Sequence, residues 1–221
     1  MRKASGVAAD ICYARTWHMR IFVAFDIEEE IRKRLQHFME EVRGLAPGAR
    51  WVRPESLHVT LKFIGEKPEA AVKQIEEALG SINAEPFQIR FHDAGFFPTA
   101  KAARVFWVGI EGEAGLADLA VKVEESLTAV GIPEEQRAFS PHLTLARAGA
   151  RAGGGSGAPH WRKGDKVNQR FGQLQEKLAQ SPAADFGRMT ARDFFLYRSQ
   201  LSPKGSQYTK IARFGLHPPE L

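Results

Sequence analysis

The sequence predicts an α+β fold that is duplicated and bilobal: two mostly antiparallel sheets with outer helices around a central groove. Three observations carry that prediction. The phrase Arg53-Pro54-Glu55-Ser56-Leu57-His58-Val59-Thr60-Leu61 returns as Arg137-Ala138-Phe139-Ser140-Pro141-His142-Leu143-Thr144-Leu145, with Arg, Ser, His, Thr and Leu in register. The apolar run that follows Arg20 has a counterpart after Arg104, and 84 residues separate both Arg20 from Arg104 and His58 from His142. Strand-like and helix-like stretches also follow one another in the same order in both halves, as an internal duplication requires.

Taken in order, Ile21 to Phe25 reads as a core strand, and residues 1–18 as a disordered N-terminal extension without a signal-peptide pattern. Asp26 can cap a helix whose first turn holds Glu28, Glu29 and Glu30, suited to the positive helix end. Ile31, Leu35, Phe38 and Val42 give that helix one apolar stripe, and Gly44, Pro47 and Gly48 end it. The first His-Thr strand runs to Gly65. Pro68 then opens a second helix carrying Val72, Ile75 and Leu79, and Phe87, Ile89 and Phe91 alternate as a strand.

The pattern restarts at Arg104-Val105-Phe106-Trp107-Val108. A helix stripe of Leu116, Leu119, Val123, Leu127 and Val130 leads to the second His-Thr strand. Residues 148–166 read as a Gly-rich basic surface loop with RNA contact as one of its readings. It is no P-loop, since the Gly-Lys-Ser/Thr ending is missing. Phe171, Leu174 and Leu178 mark a fourth helix, Phe194 and Leu196 a strand, 201–205 a turn and Tyr208 to Phe214 a closing strand. The expected organisation is a single domain over 19–216, with lobes at about 19–103 and 104–216.

Composition narrows the partners. The 221 residues carry 31 Lys and Arg against 26 acids, a formal charge of +5 that favours a polyanionic partner such as nucleic acid. No stretch approaches the roughly 20 apolar residues of a membrane span. The single cysteine excludes an intramolecular disulfide and fits a reducing, cytoplasmic compartment. A monomer is expected.

The repeated strands carry the chemistry. Alternation puts His58 with Thr60 on one face and Val59 with Leu61 on the other, and likewise for His142 with Thr144. Two such faces lining one groove oppose two imidazoles, one able to accept a proton while the other donates. That suits in-line displacement at phosphorus, with the threonine hydroxyls binding non-bridging oxygens and no metal or cofactor required. Two ordinary strand histidines, or a shared metal site lacking evident further ligands, are the competing readings. Lys62 shares parity with His58 and is expected to reach the groove. Arg147 could reach a phosphate, although its parity is opposite to that of His142. Phe63 and Trp51 suit either base stacking or core packing.

His58-Val59-Thr60-Leu61 and His142-Leu143-Thr144-Leu145 resemble the paired His-x-Thr-x (HxTx) signatures of the 2H phosphoesterase superfamily. The flanking Leu61-Lys62-Phe63-Ile64-Gly65-Glu66 and the phrase Tyr197 to Gly205 are similar to its RNA 2′,3′-cyclic phosphodiesterases, historically called 2′-5′ RNA ligases. The resemblance spans about 19–216. It implies a hydrolase acting in RNA processing, which opens an RNA 2′,3′-cyclic phosphate to a 2′-phosphate without a metal. It further implies His58 as proton donor, His142 as proton acceptor, and phosphate binding by Thr60, Thr144 and Arg147. A 5′-hydroxyl in place of water would give 2′-5′ ligation. Small cyclic nucleotides as substrates, and a non-catalytic RNA-binding module, stand as alternatives.

Overall fold

The computed structural model describes residues 18–149, 169–202 and 205–217. The N-terminal extension and nearly all of the Gly-rich loop lie outside the described residues, as do two residues of the 201–205 turn. Strand β1 (His18–Asp26) opens the fold, and Ile21 to Phe25 are all buried because both of its faces are covered. Helix α1 (Glu29–Val42) buries Ile31, Leu35, Met39 and Val42. Phe38 is only partly buried and sits edge-on to Phe186 at 5.0 Å. Asp26 does not cap this helix, whose N-cap is Glu28. Its carboxylate turns back instead, accepting from the Ile27 amide at 2.9 Å, from Arg32 at 2.7 Å and from Lys210.

There follow β2 (Ala49–Trp51), β3 (His58–Pro68), α2 (Glu69–Gly80), β4 (Phe87–Phe97), β5 (Val105–Gly112), α3 (Ala114–Ala129) and β6 (His142–Ala148). After these come α4 (Gly172–Ala179), β7 (Asp185–Ala191), β8 (Asp193–Ser202) and β9 (Gly205–Gly215). The apolar stripes predicted for α2 and α3 are buried, apart from Val130, which caps α3 and is half-buried. Gly131 takes a positive φ of 81° just past that cap, where a side chain would be strained. Strands β2 and β7 carry too little alternation to be read from the sequence. Both are defined by the neighbours they pair with. No helix among the described residues is long and apolar enough to cross a membrane.

All the ladders are antiparallel, in two sheets ordered β3-β1-β8-β9 and β2-β6-β5-β4-β7. The sheets do not divide the chain at residue 103. Strand β4, from the first half, pairs with β5, and β8, from the second half, pairs with β1 in the corresponding way. The first repeat therefore places β2 and β4 in the sheet of the second, and the second places β8 and β9 in the sheet of the first, so the lobes interlock and share one core. Phe25 of β1 meets Phe87 of β4 edge-on at 5.7 Å across that interior. Because β2 pairs only Ala146 to Ala148, the His142 end of β6 is left to lie beside β3. The sheets meet along these two strands, and the groove opens there.

Candidate active site

The two His-Thr strands share an irregularity that decides which side chains enter the groove. In β3, Thr60 stands opposite Ala24 and Lys62 opposite Val23, so Leu61 is an extra residue. In β6, Thr144 stands opposite Trp107 and Ala146 opposite Phe106, so Leu145 is the extra one. Such a bulge resets the alternation, since two residues of one strand then oppose one of its partner. Two consecutive side chains turn inward. Lys62 and Ala146 are therefore buried, whereas Phe63 and Arg147 return to the groove face and are exposed.

Lys62 accordingly does not reach the groove. It is 6% exposed and donates to Glu124 and, at 2.9 Å, to the Pro133 carbonyl, tying β3 to α3 and the segment beyond it. Arg147 does face the groove, against the parity that simple alternation assigns it. Trp51 packs against the core, edge-on to Phe106 at 5.9 Å with the Arg43 guanidinium over its ring. Its partner in the ladder, Ala146, is one of the inward residues. Phe63 is 63% exposed, with its ring 6.0 Å from that of Phe22.

Both histidines are held in the same way. Nδ1 of His58 lies 2.7 Å from the Ser56 carbonyl, and Nδ1 of His142 lies 2.8 Å from the Ser140 carbonyl. A carbonyl only accepts, so each Nδ1 carries a proton and each Nε2 of a neutral ring keeps its lone pair. Burial lowers both rings from the usual histidine range, and the Arg147 charge lowers them further. The carbonyl contacts work the other way. Protonation of either ring is therefore disfavoured until a negative charge enters. His142 also opposes protonation of His58, which places both rings within one electrostatic field.

The environments differ beyond the rings. Asp26 stands opposite His58 and favours its charged form, whereas the position opposite His142 is Gly109. Burial works against ionisation of Asp26, but Lys210 and Arg32 outweigh it and hold the carboxyl below its usual range. Phe22, Tyr197 and Tyr208 surround His58, with Tyr208 edge-on at 4.9 Å and Tyr197 stacked on Phe22. Burial raises the Tyr197 phenol well above its ordinary value, so it stays neutral. His142 has Phe97 edge-on at 4.9 Å, backed by Trp107. A cavity of roughly 380 Å³, bounded by Asp26, Arg32, Ser56, Tyr197 and Lys210, adjoins His58. No cluster of three metal-ligating side chains occurs among the described residues.

Residues 25–107 match the LigT like Phosphoesterase family. An RNA 2′,3′-cyclic phosphodiesterase of Archaeoglobus fulgidus is 33% identical over 196 residues, which cover 89% of this chain and 99% of that protein. The chain belongs to the LigT-like phosphoesterases. Another relative, from Thermus thermophilus and of the same name, is 33% identical with 90% of each chain covered. Among solved structures, E. coli LigT complexed with 3′-AMP is 25% identical with a TM-score of 0.70, covering 91% of this chain and all of that one. A Thermus thermophilus structure is 32% identical with a TM-score of 0.68.

Within this LigT-like site, the sequence pattern places both histidines and both threonines on the groove face but says nothing of their surroundings. Asp26 reads from the sequence as a helix cap, and its position opposite His58 follows only from strand pairing. Tyr208 and Lys210 arrive from β9, at least 150 residues downstream of His58. Tyr197 lay within a recognised phrase, yet nothing in that phrase says that the ring stacks on Phe22.

Proposed function

We propose that this LigT-like phosphoesterase hydrolyses 2′,3′-cyclic phosphate ends of RNA to 2′-phosphates. The observation that carries the proposal is the pair of histidines, each with Nδ1 bound to a backbone carbonyl and Nε2 left for chemistry in one groove. The name of the Archaeoglobus relative, matched over nearly its whole length, supports the substrate class.

In this scheme His142 takes a proton from water as the water oxygen bonds to phosphorus. The bond from phosphorus to the 3′ oxygen breaks, and His58 delivers its proton to that leaving oxygen. Turnover leaves His142 protonated and His58 neutral, and exchange with solvent restores them. Thr60, Thr144 and Arg147 hold the non-bridging oxygens, where the transition state concentrates charge. The bound cyclic phosphate is an anion and offsets the bias against protonation. Asp26 favours His58 as the ring that carries the proton. A 5′-hydroxyl in place of water would join two strands through a 2′-5′ linkage at the same site.

The test is incubation of a short RNA ending in 2′,3′-cyclic phosphate, in EDTA, with the product isomer identified. A 2′-phosphate is expected. A 3′-phosphate, or no turnover of RNA alongside turnover of a small cyclic nucleotide, would overturn the assignment.

A further inference from the structure

The groove has a second end. From the histidines it runs along β3 and β6 past Thr60 and Thr144 to Phe63 and Arg147, where arginines from three strands converge. Arg50 of β2 stands directly opposite Arg147 in the ladder. Arg20 lies on the groove face of β1, two residues before Phe22: the ladder with β3 shifts between Ile21 and Phe22 through an extra residue on β3, but the register of β1 with β8 is continuous there. Although the Arg147 side chain reaches solvent, its partial enclosure by the groove walls works against its charge, Tyr208 favours it, and Arg50 and Arg20 are both close enough to oppose it.

Like charges directly opposite each other weaken a sheet, and carboxylates ordinarily relieve them. Among the described residues, Arg20, Arg50 and Arg147 make no ion pair, and Glu66, the ladder partner of Arg20, makes none with it. Three arginines elsewhere in the fold do have a carboxylate at hand: Arg32 with Asp26 and Arg90 with Asp185, both at 2.7 Å, and Arg213 with Asp193 at 2.8 Å. Three open guanidiniums around one crevice suit an anion with several oxygens, which their planar forks can grip. Beside them the exposed Phe63 ring offers a flat face to a base.

We propose that Arg20 and Arg50 form, beside Arg147, an upstream phosphate subsite that takes the backbone phosphate preceding the cyclic end of an RNA strand, while Arg147 serves the reacting phosphate. This subsite selects a polynucleotide over a mononucleotide. It rests on the RNA reading above and names two residues which that chemistry does not use.

The experiment compares kcat/KM for a short oligoribonucleotide ending in 2′,3′-cyclic phosphate with that for a 2′,3′-cyclic mononucleotide. It is run on the full chain and on Arg20→Gln, Arg50→Gln and the double variant, with melting temperatures recorded. The oligomer-to-mononucleotide ratio should fall about tenfold or more in the double variant, the loss of charge-assisted contacts. The salt dependence of oligomer binding should become shallower. An unchanged ratio would overturn the subsite. If the wild-type chain hydrolyses neither substrate, the phosphodiesterase reading fails by itself, and equilibrium binding decides the subsite. A 3′-phosphorylated oligomer should then lose about tenfold in affinity on the double substitution relative to a 3′-mononucleotide, and equal losses for both would overturn it.

Discussion

The β3 side and the β6 side of the groove have one backbone and two chemistries. Each has a His-x-Thr, a histidine bound to the carbonyl two residues earlier, and an extra leucine that resets the alternation. The decoration then diverges. Opposite the histidine stands Asp26 on one side and Gly109 on the other. Beyond the bulge, Phe63 enters the groove on the first side and Arg147 on the second. The inward residue is Lys62 in one copy and Ala146 in the other. Duplication supplied the geometry twice, and substitution around it put a carboxylate opposite one histidine and an arginine beyond the bulge of the other strand. Two equivalent histidines can thereby carry different protons.

The largest effect should come from breaking either histidine. His58→Ala and His142→Ala should each reduce kcat by about 10²–10⁴-fold, the usual contribution of a positioned acid or base, while circular dichroism shows an intact fold. A substrate with sulfur in place of the 3′ oxygen sharpens the comparison. A better leaving group needs less help from an acid, so it should restore activity to the His58 variant far more than to the His142 variant. Equal rescue of both would remove the division of labour.

A smaller effect, on stability, should separate Lys62 from its counterpart Ala146. Lys62→Met takes the partner from Glu124 in a mostly buried setting and should cost about 1–3 kcal/mol in denaturant unfolding, with kcat altered little. The Glu135 amide, donating to the same carboxylate at 2.8 Å, limits the loss. A collapse of kcat without loss of stability would mean that Lys62 serves the groove after all.

The smallest effect should be on the pH dependence of folding. Both histidines are lowered from 6.5 by burial, so below that pH the unfolded chain binds protons that the folded chain refuses. Stability should therefore be full above about pH 7 and decline as pH falls through 6.5 toward the folded values. Denaturant titrations at pH 7.5 and 5.5 would measure the decline. His58→Gln and His142→Gln should each flatten it, and an unaltered slope in both would show that other groups dominate.

Much of this was legible in the chain because it is local. Two apolar faces at period two, helix stripes at period 3.6 and a phrase repeated 84 residues apart identify the strands, the duplication and the four residues His58, Thr60, His142 and Thr144. Alternation failed at Lys62 and Arg147 because a bulge is defined by a count against the partner strand, which one strand's own sequence does not contain. The opening strands show the same thing: Ala24 and Trp107, facing the two threonines, are 83 residues apart, whereas the threonines are 84 apart.

By itself, then, the sequence determined most of the elements, the repeat and the paired His-x-Thr motifs, since each depends on side chains spaced a few residues apart. Tertiary structure alone decided that the repeats exchange strands, β2 and β4 for β8 and β9, and that Asp26 stands across from one histidine and a glycine across from the other. It alone gathered Arg20, Arg50 and Arg147 at one end of the groove. Those facts depend on which strands pair and in what register, and pairing is fixed by burying a shared core across long stretches of chain.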